Sequence, residues 1–254
     1  MKGPELPPAF LTRALAHRAL HGPGIPENSR AAVERAIEAG YGIEIDLQLS
    51  SDNIPMVFHD DGLARLTEES GPVAARPASE LSRISLRGGD EGIPTFAEIL
   101  SLVAGQVPLL VEIKDQTGDM SASDGVLEAA AAEGVSGYEG PLAFMSFNPS
   151  CVRALARAAP DRPRGLVTCA YRAEDWPDLS DTQRETLSRV ETSAVGASFI
   201  SHEWTDLGSP RVAAARSAGC AVLCWTIRSA AAEAEARRIA QNVTFEGYLP
   251  TPVA

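Results

Sequence analysis

The sequence predicts an α/β protein built as a (β/α)8 barrel of the TIM type, with a β-hairpin and a long inserted loop after the second strand. Short apolar runs with strand character alternate with alanine-rich helical stretches, which is typical of a parallel sheet covered by helices. The length of 254 residues suits one such barrel, so we expect a single domain over residues 1–254. No glycine-rich dinucleotide fingerprint follows the first strand, which argues against a doubly wound sheet.

The predicted elements follow one another in the order that such a barrel requires. We expect strands near 14–18, 43–49, 108–114, 141–146, 165–169, 198–202, 221–227 and 243–248. We expect helices near 30–39, 95–104, 124–133, 150–158, 181–193, 210–217 and 229–240. Many of these helices begin after a residue that favours the N-cap position: Asn28 or Ser29, Thr95, Asp124, Asn148, Ser209 and Ser229.

One long segment between the second strand and the helix at 95 interrupts the alternation. Loops of this length are usually functional or carry small added elements. Residues 49–59 read as a β-hairpin that turns at Asp52-Asn53, a pair that tolerates positive φ. A two-residue turn at that point would place His59 directly opposite Asp46, with their Cα atoms roughly 4.5–5.5 Å apart.

The second and third predicted strands each carry polar side chains on one face. Glu44, Asp46 and Gln48 alternate with apolar residues in the second strand, and Glu112 and Lys114 do so in the third. In a barrel the apolar faces pack against the helices, so these polar faces point inward. They lie toward the carboxyl ends of the strands, where barrel enzymes have their active sites.

The inward-facing acids Glu44, Asp46 and Glu112 predict a metal site. Three converging carboxylates cannot all stay ionised in a partly dry site unless a cation joins them. Oxygen ligands suit a hard cation, Mg²⁺ or Ca²⁺, better than Zn²⁺. The alternative interpretation is that the acids form ion pairs with Arg or Lys across the barrel.

Two histidines are predicted to reach the same mouth of the barrel. His17 ends the first strand, and the hairpin returns His59 to that end. Two imidazoles beside a metal suit general acid–base catalysis near neutral pH. Arg18 and Lys114 offer positive charge to a phosphate group, unless they only pair with the carboxylates.

Three further residues remain open in role. His21 and His202 are expected at the surface or in loops, with the barrel rim as an alternative for His202. Trp225 ends the seventh predicted strand, where it either covers a substrate or packs in the core.

Charge and composition exclude several classes of partner. A net charge of −12 argues against binding of nucleic acid and against docking on anionic lipid. No apolar run approaches the length of a membrane span, and the N-terminus lacks an apolar signal core. The cysteines are scattered without metal-binding spacing: Cys151, Cys169, Cys220 and Cys224. We interpret them as buried free thiols and expect a cytoplasmic protein, while the oligomeric state stays unknown.

Motifs in a fixed order over residues 17–114 carry a family resemblance. They are His17-Arg18-Ala19, Glu27-Asn28-Ser29, Glu44-x-Asp46, His59-Asp60, Leu63-Ala-Arg-Leu-Thr67, Ile93-Pro-Thr-Phe-Ala-Glu-Ile-Leu100 and Glu112-Ile-Lys114. Shorter matches follow at Ser146-Phe147 and Trp225-Thr226. In this order and spacing the chain resembles the glycerophosphodiester phosphodiesterases.

The resemblance implies an enzyme that hydrolyses small-molecule glycerophosphodiesters to glycerol 3-phosphate and an alcohol. It implies a divalent cation held by the acids at 44, 46 and 112, with His17 and His59 as acid and base. It further implies that Arg18 and Lys114 hold the phosphate, and that Glu27 and Asn28 support the site.

Three departures from the family pattern bear on substrate choice. Ala19 replaces the usual glycine, Arg228 stands where asparagine is usual, and residues 245–252 lack the usual Thr-Asp. Strand parity places Trp225 and Ile227 on one face and Arg228 on the other, so its guanidinium points outward unless the loop turns it in. If it turns in, we expect it to disfavour a quaternary amine in the leaving alcohol.

Two rival functions stay open. A lysophospholipase D acting on lysolipids would need an apolar cleft, and the 60–95 loop offers little apolar surface. A catalytically inactive phosphoester-binding barrel would usually have lost some of the key residues, and this chain retains them.

Overall fold

A barrel of eight parallel strands forms the centre of the computed structural model, which describes residues 3–251. Its strands are β1 (Leu15–Ala16), β2 (Gly42–Leu49), β4 (Leu109–Ile113), β5 (Leu142–Ser146), β6 (Arg164–Thr168), β7 (Phe199–Glu203), β8 (Ala221–Ile227) and β9 (Asn242–Phe245). Each strand pairs with its neighbour, and β1 pairs with both β2 and β9, which closes the barrel. One further strand, β3 (Pro55–Val57), lies outside and pairs antiparallel with β2. The predicted fold class is confirmed.

The helices cover the outer surface of the barrel. They are α1 (Ala9–Thr12), α2 (Arg30–Glu38), α3 (Ala78–Leu81), α4 (Phe96–Val103), α5 (Val126–Gly134), α6 (Pro149–Ala158), α7 (Asp181–Ser188), α8 (Thr192–Val195), α9 (Pro210–Ser217) and α10 (Ala230–Ala236). Short 3₁₀ turns occur at Leu63–Arg65, Val73–Ala75 and Trp204–Asp206.

Two helices differ from their predicted length, and one predicted N-cap, Asp124, differs. The helix expected over 181–193 is split into α7 and α8, because Arg211 binds the backbone carbonyls of residues 187, 188 and 190 between them. The helix expected over 229–240 ends at Ala236. Ser29, Thr95, Asn148 and Ser229 cap their helices through their side chains as predicted. Ser209 makes no such bond, and Gly125 rather than Asp124 occupies the N-cap of α5.

Two apolar layers lie on either side of the barrel wall. Inside, Phe10 of α1 closes the bottom against the first residues of the strands, among them Leu15, Leu110 and Phe199. Outside, the alternate strand residues, such as Ile43 and Ile45, pack against the helices. The predicted parity of β2 and β4 is therefore confirmed, and their polar side chains point into the upper barrel.

The insertion after β2 has an apolar core of its own. This core consists of Met56, Phe58, Leu63, Val73, Ala78, Leu81, Ile84, Leu86 and Ile93. The segment that the sequence suggested was a long loop is thus a small folded unit, which we call the inserted unit and define as residues 50–95.

The predicted register of the hairpin is wrong by one residue. Leu47 pairs with Val57, and the N–H of Phe58 donates to the carbonyl of Asp46, so Phe58 and not His59 lies opposite Asp46. The connection is the longer loop of residues 50–54 rather than a two-residue turn. Asp52 stabilises this loop, because its carboxylate accepts hydrogen bonds from Ser50 Oγ at 2.6 Å and from the N–H of Ala78 at 2.8 Å. Phe58 consequently enters the core of the inserted unit, and His59 is directed to the barrel mouth.

Strand β8 contains an irregularity that reverses the predicted parity of its last residues. The pairing with β9 shifts between Cys224 and Ile227. Trp225 therefore packs with the inner layer, while Ile227 lies in the outer layer. The prediction that these two residues share a face is wrong, and Arg228 turns toward the barrel mouth.

The remaining expectations concern membrane spans and thiols. Among the described helices, we find none with the length and apolar character that crossing a membrane requires. All four cysteines are buried and unpaired, as predicted.

Candidate active site

A cavity of about 250 Å³ opens at the carboxyl ends of the barrel strands. One half of its lining is polar: His17, Arg18, Glu44, Asp46, His59, Glu112 and Lys114. The other half is mainly apolar and includes Met145, Phe147, Val167 and Trp225. The structure thus brings together the acids, both histidines and both cations that the sequence singled out. A larger open groove of about 750 Å³ elsewhere on the surface contains none of them.

The acids Glu44, Asp46 and Glu112 form a buried cluster on two adjacent strands. The register of β2 and β4 places Asp46 beside Glu112, and Glu44 lies two residues earlier on the same face. One carboxylate oxygen from each acid lies within 4.8 Å of those from the other two. Each of these side chains offers only oxygen atoms, the donor type that a hard divalent cation prefers.

Electrostatics within the cluster also fit a divalent cation. Burial, together with the charges of Asp46 and Glu112, raises the pKa of Glu44 well above its usual range. Burial opposes the ionisation of Asp46 too, yet Lys114, His59 and Arg18 hold the pKa of its carboxyl well below the usual range. Negative charge is therefore concentrated in a place where water cannot screen it, and a bound cation would stabilise all three ionised acids.

Lys114 and Arg18 flank this acidic cluster. Lys114 Nζ lies 2.9 Å from Glu112 Oε1 and 3.4 Å from Asp46 Oδ1. Arg18 Nε lies 3.7 Å from Asp46 Oδ2 and, although buried, has no hydrogen-bond partner among the described residues. Glu44 instead accepts the backbone N–H of Arg18 at 2.9 Å. Ion pairing, the alternative interpretation from sequence, therefore involves Asp46 and Glu112 themselves, while Arg18 Nε keeps no hydrogen-bond partner among the described residues.

Left-handed backbone conformations shape the loop after β1. Arg18, Ala19 and Asn28 have φ values of 52°, 64° and 56°. Each such conformation costs an L-residue roughly 1–2 kcal/mol. These conformations allow two hydrogen bonds to strand β2. Asn28 Nδ2 donates to Asp46 Oδ2 at 2.9 Å, and the N–H of Ala19 donates to the Glu44 carbonyl at 2.9 Å. Ala19 thus adopts a conformation that favours the glycine usual at this position.

Each of the two predicted catalytic histidines forms a hydrogen bond with a carboxylate. His17 Nδ1 lies 2.8 Å from Glu246 Oε2, and His59 Nδ1 lies 2.6 Å from Asp60 Oδ1. The bond from His17 lowers the pKa of Glu246 to about 2, although burial opposes this. Because Nδ1 is engaged in both rings, Nε2 is left as the nitrogen open to the cavity.

An arginine also binds each of these carboxylates and shares one oxygen with the histidine. Arg228 Nη2 lies 2.9 Å from Glu246 Oε2. Arg65 binds Asp60 through Nε at 2.5 Å and Nη2 at 2.9 Å. Sequence reasoning missed Asp60, Arg65 and Glu246 as site residues, although all three stand in or beside the motifs quoted above.

A chain of ion pairs continues from His59 to Arg18. Arg65 binds both oxygens of Glu27, at 2.7 and 2.9 Å, and Glu27 binds Arg18 at 2.8 Å. Glu27 therefore lies behind the cavity, where it orients Arg18, and Asn28 does the same for Asp46. Both residues thus contact side chains that line the cavity, and neither is among the lining residues themselves.

Trp225 lines the cavity and also packs against the inner apolar layer. Its Nε1 donates to the carbonyl of Ser201 at 3.0 Å, which fixes the ring. Its ring centroid lies 5.5 Å from that of Phe147, and Phe147 in turn lies 5.2 Å from Trp176. Arg228 stands nearby at the cavity edge, with 62% of its side chain exposed.

The other two histidines do not reach the cavity. His202 is fully buried, which contradicts the expected surface, loop or rim position. Its Nδ1 lies 2.7 Å from Thr168 Oγ1 and its Nε2 lies 3.1 Å from Asp206, so both ring nitrogens have partners in the outer layer. Burial lowers the pKa of this imidazole, which favours a neutral structural role. His21 lies partly exposed in a loop, as expected.

Comparison with known proteins identifies the family. The profile of the Glycerophosphoryl diester phosphodiesterase family matches residues 17–245. The glycerophosphodiester phosphodiesterase of Caldanaerobacter subterraneus subsp. tengcongensis is 30% identical over 174 residues, which span 65% of this chain and 70% of the relative.

Solved structures agree over almost the whole chain. A phosphodiesterase from Oleispira antarctica, in complex with the product sn-glycerol-3-phosphate, has a TM-score of 0.75 at 25% identity, with 93% of this chain and 94% of that chain covered. The glycerophosphodiester phosphodiesterase of Thermotoga maritima shares the fold, with a TM-score of 0.70 at 20% identity over 92% of this chain and 94% of that chain. The chain therefore belongs to the glycerophosphodiester phosphodiesterase family and is an enzyme of that class.

Proposed function

We propose that the protein hydrolyses glycerophosphodiesters to glycerol 3-phosphate and an alcohol, using Mg²⁺ or Ca²⁺ and two histidines. The observation that supports this best is the buried cluster of Glu44, Asp46 and Glu112 in the same cavity as His17 and His59. The product found in the Oleispira antarctica structure is consistent with this reaction.

The three acids would hold the cation on the floor of the cavity. When bound, a divalent cation polarises a phosphoryl oxygen and neutralises charge that develops in the transition state. Lys114 and the unpartnered Nε of Arg18 lie beside the cluster and provide donors for the remaining phosphate oxygens. This arrangement explains why two partly buried basic side chains, Arg18 and Lys114, lie next to three acids.

The histidines would transfer the protons. Each presents Nε2 to the cavity, while a carboxylate binds Nδ1. One imidazole takes the proton from the attacking hydroxyl group or water, and the other protonates the oxygen of the leaving alcohol. A carboxylate at Nδ1 holds each ring in its orientation.

The shape of the cavity favours a small diester over a lysolipid. About 250 Å³ accommodates a phosphate with short alcohol groups. The large hydrophobic residues that are exposed among residues 3–251 are Ile54 and Leu249, and neither lines the cavity. A long acyl chain would therefore extend over polar surface, which argues against lysophospholipase D activity. The apolar wall at Phe147 and Trp225 would contact the carbon atoms of the glycerol or of the alcohol.

The proposed setting is the cytoplasm. The four buried free thiols suit a reducing compartment, and the acidic net charge of −12 suits a small soluble ester better than nucleic acid as a partner.

A direct assay tests the function. The purified protein is incubated with glycerophosphocholine, glycerophosphoethanolamine or lysophosphatidylcholine, with Mg²⁺, Ca²⁺ or excess EDTA, and the released glycerol 3-phosphate or lysophosphatidic acid is measured. We expect metal-dependent release of glycerol 3-phosphate. Faster turnover of the lysolipid would favour lysophospholipase D, and no turnover of any diester would favour an inactive binding barrel.

A further inference from the structure

The C-terminal segment that departs from the family pattern meets the first strand at the active site. The backbone N–H of His17 donates to the carbonyl of Phe245 at 2.9 Å. The next residue, Glu246, reaches His17 Nδ1 with its side chain at 2.8 Å. Backbone and side chain of this segment thus fix the same histidine.

Glu246 is itself fixed from a third strand. Its backbone N–H donates to the carbonyl of Ile227 at 2.9 Å, and its Oε2 accepts from Arg228 at 2.9 Å. The irregularity in β8 is what turns Arg228 toward the cavity edge, where this contact forms. Arg228, one of the departures from the family pattern, therefore contacts Glu246, and Glu246 contacts His17.

We propose that Glu246 is the positioning residue for His17 and that Arg228 holds Glu246 in place. The carboxylate selects the ring orientation and the tautomer that present Nε2 to the acidic cluster. Glu246 acts through His17 and does not touch the substrate. This inference rests on the proposed role of His17 in phosphodiester hydrolysis.

The arrangement resembles that around His59, with two differences. Asp60 is the sequence neighbour of His59 and is bound by two nitrogens of Arg65. Glu246 reaches His17 from the other end of the chain and is bound by one nitrogen of Arg228. We expect the loss of Arg228 to have a smaller effect on turnover than the loss of Glu246, because the backbone bond to Ile227 still holds residue 246.

A double-mutant cycle tests the proposal. The wild type, His17→Ala, Glu246→Ala and the double variant are assayed on glycerophosphocholine with saturating Mg²⁺. We expect Glu246→Ala to lower kcat about 10–100-fold, the range for a lost partner of a functional histidine, with KM nearly unchanged. The double variant should be no slower than His17→Ala, because residues that act as a unit are not additive. If the two losses multiply instead, Glu246 does not act through His17.

Conservative replacements and a control complete the test. Glu246→Gln keeps the length and an oxygen that accepts from Nδ1, so we expect it to retain more turnover than Glu246→Ala and a wild-type melting temperature. The control is Glu235→Ala, which removes an exposed carboxylate that pairs with Arg238, three residues further along the chain. A wild type that releases no glycerol 3-phosphate would overturn the proposed function. An active wild type with an inactive His17→Ala and an unimpaired Glu246→Ala would overturn only this inference.

Discussion

Lys114 Nζ lies 2.9 Å from Glu112 Oε1, so a partly buried ammonium balances one acid of the cluster from within the barrel. Asp46 shares that ammonium at 3.4 Å. The Glu44 carboxylate, by contrast, accepts a hydrogen bond from the backbone N–H of Arg18, which is a dipole and carries no full charge. A bound cation would therefore stabilise the ionised form of Glu44 more than that of the other two acids.

Metal removal should abolish hydrolysis. Because the three acids offer oxygen ligands, we expect no turnover in excess EDTA, and Glu44→Ala, Asp46→Ala and Glu112→Ala should each lose most metal binding. Saturation with cation to about 100 times Kd should stabilise the fold by about 2.7 kcal/mol. For a chain of this size that is a rise of roughly 5–10 °C in melting temperature. Full activity in excess EDTA would contradict the metal site.

Replacement of Glu44 should change how the stability of the metal-free protein depends on pH. Burial and its acidic neighbours raise the pKa of Glu44 in the folded state. Its contribution to stability is therefore fully present below the ordinary pKa of about 4.3 and is lost as pH rises through the folded-state value. In EDTA, the stability of Glu44→Gln relative to wild type should thus increase from pH 5 to pH 8. Urea unfolding at both pH values measures the difference, and an equal difference at both would contradict the raised pKa.

Each histidine should be essential to turnover and dispensable for metal binding. We expect His17→Ala and His59→Ala to lower kcat by about 10²–10⁴, the usual contribution of a general acid or base. The metal affinity, measured by calorimetry, should change far less, because the acids and not the imidazoles bind the ion. A variant that keeps near wild-type turnover would remove that histidine from the mechanism.

Arg65 should affect turnover from outside the cavity. It binds both Asp60, the partner of His59, and Glu27, the partner of Arg18. We expect Arg65→Ala to lower kcat/KM about tenfold, equal to about 1.4 kcal/mol in the barrier. Arg76→Ala is the matched control, since Arg76 lies in the same inserted unit and pairs with acids away from the cavity. Equal losses in the two variants would indicate a general effect on the inserted unit.

Arg228 should influence the choice of alcohol. Its guanidinium lies at the cavity edge, where it disfavours a quaternary amine by repulsion. We expect glycerophosphoserine or glycerophosphoinositol to be preferred over glycerophosphocholine. Arg228→Asn should shift the kcat/KM ratio toward choline by roughly tenfold, about 1.4 kcal/mol. A common loss of turnover cancels in this ratio, so unchanged ratios across the substrates would reject the specificity role.

Strand parity explains how much of the site the sequence predicted. In β2 and β4 every second residue faces the barrel, so the direction of Glu44, Asp46 and Glu112 follows from their spacing alone. The same rule failed in β8. The shift in pairing after Cys224 depends on contacts with β9, and these cannot be deduced from the spacing of residues in β8.

The register of the hairpin and the carboxylate partners of the histidines were harder to predict from the sequence, for a related reason. Asp52 and Asn53 suggest a tight turn, but the length of the loop is decided by the contact between Asp52 and Ala78, which lies far away in sequence. Glu246 comes just after the last strand and reads as an ordinary loop residue. Only closure of the barrel brings it to His17, at the opposite end of the chain.

The separate core of the inserted unit has a consequence for how the protein loses activity. Residues 50–95 include His59, Asp60 and Arg65, and they bury their apolar side chains mostly against one another. Local unfolding of this unit alone would remove those three residues from the active site while the barrel strands stay paired. Such sub-global openings require less free energy than global unfolding. Inactivation by denaturant would then precede the unfolding of the barrel, and amide hydrogen exchange would show faster exchange in the inserted unit than in β4 to β8.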